Sequence, residues 1–132
     1  MRAAAGLLLL LAIAGGCGGG GGEGQKAAID LTVTLWPNGE ADDSVAWSLR
    51  CEPTGGDHPA AATACAALTA VEDPFGAVAP VARCEEIPGS DEAVATVTGH
   101  FRGREVDARF SRENACVAPR WDRIAPVFPA GF

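Results

Sequence analysis

Few side chains in this sequence could do chemistry: five cysteines (Cys17, Cys51, Cys65, Cys84, Cys116), two histidines (His58, His100) and the carboxylates Glu85, Glu86, Asp91 and Glu92. The carboxylates match no calcium loop, and Pro88-Gly89 splits them, so they read as solvated loop surface or as a recognition feature. His100 could nominally join Ser90 or Ser111 and an aspartate in a triad, yet no G-x-S-x-G elbow supports one. We assign no catalytic residue, metal or cofactor. His58 follows Asp57 just ahead of an alanine-rich run, where a structural or capping role fits. The cysteine count is odd, and no pair has C-x-x-C spacing, so one thiol has a task separate from the other four.

Cys17 is that one. Arg2, the apolar run Ala3 to Ala14 and the small pair Gly15-Gly16 precede it, and the run is too short to span a bilayer. This arrangement resembles the lipobox of bacterial lipoproteins, which implies that residues 1–16 are a cleaved leader and that Cys17 is acylated. The glycine-rich stretch through residue 28 reads as a tether with a reach of roughly 20 Å, leaving 29–132 as one domain. The domain is expected at the extracellular face of the bacterial cytoplasmic membrane, held by lipid alone, or secreted. That setting is oxidising, so Cys51, Cys65, Cys84 and Cys116 read as two disulfides, with three pairings open.

Composition agrees with a need for such staples. Leu, Ile, Val and Phe make up 22 of the 116 residues after the leader, near the limit at which acidic chains still fold. The net charge of −7, with no basic run, argues against nucleic acid as a partner.

The elements that must position these residues can be read coarsely. Ile29 to Leu35 alternates apolar and polar, Pro37-Asn38-Gly39 turns the chain, and Val45 to Cys51 alternates again, giving two strands. Asp57-His58-Pro59 and the alanines after it open a helix, with Asp57 or His58 as cap and Cys65 about two turns in. Val94 to Thr98 and Val106 to Phe110 flank the Arg102-Gly103 turn as a hairpin, and Val127-Phe128 reads as a short extended segment. The sum is an α+β domain, one antiparallel sheet with helical segments on one face.

From Cys51 the chain reads Cys51-Glu52-Pro53-Thr54-Gly55-Gly56-Asp57-His58-Pro59, then four residues, then Ala64-Cys65-Ala66-Ala67-Leu68. This resembles the signature of the subtilisin-inhibitor-like family of secreted bacterial proteins. The likeness continues through Cys84, Thr96-Val97, Gly99, Phe101, Gly103-Arg104, Val106, Phe110-Ser111, Asn114, Cys116 and Val127-Phe128. It implies a five-stranded antiparallel sheet with two helical segments, disulfides Cys51–Cys65 and Cys84–Cys116, commonly a homodimer, and reversible substrate-like inhibition of serine endopeptidases. It also implies a reactive loop of Glu85, Glu86, Ile87 and Pro88, with the scissile bond between Glu86 and Ile87. Cys84, Cys116 and Asn114 would support that loop, Asn114 by hydrogen-bonding its backbone from beneath.

Glu85 stands where the family usually has proline, and Pro88-Gly89 follows the bond instead. An ionised Glu86 would be unpaired in an apolar specificity pocket and repelled by an acidic one, so it suits a glutamate-specific endopeptidase. Arg83 or Ile87 would take the specificity position only if the register shifted. The rival expectation is a non-inhibitory envelope lipoprotein that uses the same scaffold to bind a partner.

Overall fold

The computed structural model describes residues 26–77, 83–89 and 91–129. The expected leader, Cys17 and the tether as far as residue 25 lie outside them, as does Ser90. The chain runs β1 (Ile29–Trp36), β2 (Val45–Cys51), α1 (Ala61–Thr69), β3 (Val94–Phe101), β4 (Arg104–Ser111), α2 (Ala118–Arg123) and a 3-10 turn (Ala125–Val127).

All pairings are antiparallel and the strand order is β2-β1-β3-β4. The alternation in β1 does what a period of two dictates: Ile29, Leu31, Val33 and Leu35 are buried, and Asp30 and Thr32 face water. The register lays Leu31 between Leu49 and Gly99, and Val33 between Trp47 and Val97, which builds one apolar face. Ala64, Cys65 and Leu68 of α1 close over this face, joined by Trp121, Ile124, Val127 and Phe128 from the C-terminal segments. Trp121 and Phe110 both pack against Phe128 with tilted rings, at ring separations of 4.5 and 5.0 Å.

Among the described residues the sheet has four strands, not five. Val127-Phe128, expected to be extended, instead follows Pro126 into the 3-10 turn, with Val127 N and Phe128 N donating to Ile124 O and Ala125 O. That winding turns Ile124, Val127 and Phe128 toward the core in succession. Residues 83–87 pair through one isolated bridge, Glu86 with Asn114, which is too little for a strand.

Both disulfides form as Cys51–Cys65 and Cys84–Cys116, closing separations of 14 and 32 residues. In the chain-entropy picture each contributes roughly 3–4 kcal/mol, which offsets the shortage of large apolar side chains.

The segment from Cys51 to Leu68 is scaffold throughout. Arg50 and Gly55 exchange two main-chain hydrogen bonds of 2.9 Å, and Asp57 Oδ1 accepts from Ser48 N at 2.6 Å and from Ser48 Oγ at 3.0 Å. Neither Asp57 nor His58 caps α1, contrary to expectation; the cap position is Ala60, without a side-chain bond. Asp57 is already committed to the edge of β2. His58 is buried, its Nδ1 accepting from Ala60 N at 3.0 Å and its Nε2 bonding Val127 O at 3.0 Å. One ring thus joins the start of α1 to the C-terminal turn.

Two predictions arise here. Gly56 has φ of +95° and a Cβ would lie 2.3 Å from Ser48 O, so both backbone angle and space demand glycine. Gly56→Ala is expected to cost about 3 kcal/mol, read as a lower urea midpoint at unchanged slope. The hydrogen bonds from Ser48 hold the Asp57 carboxyl below the usual carboxylate range. A carboxyl depressed by folding stabilises fully above its unfolded value and loses that contribution as pH falls through the folded one. The urea midpoint should therefore drop below about pH 4, and Asp57→Asn should flatten that part of the pH profile.

Candidate reactive loop

Residues 83–89 leave the body between α1 and β3, and every one of them is exposed. Ile87, 38% accessible, is the large hydrophobic side chain left in water among the described residues. A single exposed apolar side chain is ordinary at a protein surface, so the restraint on the segment that carries it is the more telling feature.

The segment is nonetheless held. Cys84 is bonded to Cys116, Ala115 N donates to Glu85 O at 2.9 Å, and Ile87 N donates to Glu113 O at 3.4 Å. These contacts bracket the Glu86–Asn114 bridge, so 85–87 lie extended against 113–115 with their side chains free. Extended backbone with free side chains is the shape of a substrate in a protease cleft. Beyond Ile87 the chain turns at Pro88-Gly89, where Gly89 has φ of +73° and open space around it.

Asn114 pairs with Glu86 through its backbone, and its side-chain oxygen serves the turn that follows. Oδ1 accepts from Cys116 N at 3.0 Å and Val117 N at 3.1 Å, closing the turn that leads into α2. An asparagine two or three residues ahead of free N–H groups satisfies them locally before anything more distant. The backbone partners of the loop are therefore Glu113 and Ala115, which no residue pattern announces, because main-chain bonds carry no side-chain signature.

The other candidates do not gather. Among the described residues no group of three His, Cys, Asp or Glu side chains could hold a metal ion. His100 pairs in register with Glu105 and Ser111 with Val94, at opposite ends of the hairpin and about 20 Å apart, so they form no triad. Asp91, part of the acidic run, is engaged by Arg112 rather than by its neighbours. No helix among the described residues is long and apolar enough to cross a membrane.

The comparisons with known proteins agree on one scaffold. A subtilisin inhibitor-like family model matches residues 25–114, a span that holds the Cys51 to Leu68 signature and the exposed loop and ends two residues before Cys116. Subtilisin inhibitor-like protein 1 of Streptomyces cacaoi is 32% identical over 96 residues, 68% of this chain and 84% of that protein. The chain belongs to the subtilisin-inhibitor-like family, whose members are protease inhibitors and not enzymes.

Proposed function

We propose that this protein inhibits a serine endopeptidase through Glu85, Glu86, Ile87 and Pro88, with Glu86–Ile87 offered as the scissile bond. The observation that carries this reading is the exposed, extended stretch 85–87 pinned by main-chain bonds to 113–115 beside Cys84–Cys116. A loop already shaped for the cleft loses little conformational freedom on docking, which favours affinity. The serine hydroxyl attacks the Glu86 carbonyl, the peptide bond opens, and the Ile87 amine stays close enough to close it again.

Glu86 sets the target. A carboxylate entering an apolar pocket without a partner costs several kcal/mol, whereas a pocket that supplies cationic or N–H donors accepts it. The partner we infer is a glutamate-specific endopeptidase. With Cys17 acylated and the glycine-rich tether behind residue 29, inhibition would take place within tens of ångströms of the extracellular face of the cytoplasmic membrane.

Titration of the purified domain against a panel of serine endopeptidases, one of them glutamate-specific, tests the proposal. Stoichiometric inhibition confined to the glutamate-specific enzyme is expected, with slow cleavage after Glu86. Rapid digestion by every enzyme, or no effect on any, would overturn it. The open turn at Gly89 favours the second reading, a partner-binding domain without inhibition, which predicts no bias for cleavage after Glu86. Mass spectrometry of the membrane fraction reads the acyl group on Cys17, and sedimentation equilibrium reads the dimer.

A further inference from the structure

The two sides of the Glu86–Ile87 bond are restrained unequally. Ahead of it stand the disulfide and the 2.9 Å bond from Ala115 N to Glu85 O. After it, the bond from Ile87 N to Glu113 O is long, at 3.4 Å, and the space that a side chain at Gly89 would fill is open. The next polar tie among the described residues is an ion pair. Arg112, the first residue after β4, places Nη1 3.8 Å from Asp91 Oδ2 and Nη2 3.2 Å from Asp122 Oδ1. Asp122 belongs to α2, whose neighbouring Trp121 is buried in the core.

We infer that Arg112 is a positioning residue that clamps the limb after the scissile bond to α2. The inference deepens the inhibitor reading and rests on it. When the serine oxygen bonds to the Glu86 carbonyl carbon, the C–N bond breaks and the Ile87 nitrogen takes up the proton removed from the serine. Resynthesis is the reverse: the Ile87 amine gives up that proton, attacks the ester carbon and expels the serine oxygen. Water attacking the same carbon ends inhibition. Cys84–Cys116 holds the acyl side whatever happens, so the competition turns on how long the amine side stays in place, and Arg112 is the anchor there.

Both pairs are partly solvated, so the effect is that of exposed ion pairs: about three-fold, and screened by salt. Two measurements on the full chain separate this inference from the inhibitor reading. By native-state hydrogen exchange, Arg112→Gln should speed exchange of the Ile87 amide, which donates to Glu113 O, about three-fold at low salt, and the difference should vanish near 1 M salt. With the glutamate-specific enzyme, Arg112→Gln should shorten the lifetime of the intact inhibitor by a similar factor while initial affinity and the urea midpoint hold. Asp91→Asn should give the same result and add nothing to Arg112→Gln in the double variant. Unchanged exchange at low salt, or additive effects in the double variant, would overturn the clamp. Faster exchange in Arg112→Gln, with a wild-type protein that inhibits nothing, would keep the clamp and overturn the inhibitor reading.

Discussion

Glu86→Met is expected to turn the domain into an inhibitor of enzymes with an apolar specificity pocket, tightening binding to a subtilisin-like protease by about 100- to 1000-fold. The gain comes from removing a carboxylate that such a pocket would strand without a partner, a penalty of several kcal/mol at about 1.4 kcal/mol per tenfold. The same change should weaken binding to a glutamate-specific enzyme, because the donors in its pocket would lose the charge they were built to meet. Opposite movement of the two inhibition constants is the diagnostic outcome. Glu86 is exposed and touches the body through its backbone, so the urea midpoint should stay where it is. A variant that gains nothing against subtilisin would remove Glu86 from the specificity position.

Breaking the outer disulfide should have an effect of comparable size and different kind. Cys84→Ser with Cys116→Ser frees a 32-residue separation and is expected to lower stability by about 3–4 kcal/mol. It should also convert inhibitor into substrate, raising the rate of cleavage after Glu86 on the order of 100-fold, since among the described residues 85–87 would be held by the two main-chain bonds that form the Glu86–Asn114 bridge. Removing Cys51–Cys65 is the control, for that bridge joins β2 to α1 within the core and costs a similar amount of stability. A protein lacking Cys51–Cys65 should resist cleavage after Glu86 at temperatures where it remains folded. Equal cleavage of the two variants under those conditions would mean that global opening, and not loop restraint, governs the rate.

Much of this fold is legible in the residue pattern, for reasons that can be stated element by element. β1 and β2 declare themselves because each has one wet and one dry face, and the β3–β4 hairpin does so through its Arg102-Gly103 turn. The C-terminal region is harder to read. α2 has six residues and begins Ala118-Pro119, too short for a helical period to emerge, and the 3-10 turn after it looks extended because Pro126 breaks any periodicity. The pairing Cys84–Cys116 was available only through family likeness, since spacing alone left three pairings open. Arg112 was invisible for another reason: its partners lie 21 residues before it and 10 after it, and nothing in a linear pattern marks a charge as reaching both ways.

β2 is the outermost strand on its side of the sheet, and the chain just after it folds back along the rim. The outward N–H of Ser48 is taken by Asp57, its carbonyl by His58 N, and both groups of Arg50 by Gly55. On the opposite rim, the Arg109 carbonyl accepts from Arg120. A sheet with bare rims invites a neighbour to add a strand. By sealing β2, the glycines and aspartate of the signature segment keep adjacent copies from zipping together, so this stretch serves colloidal stability as well as packing.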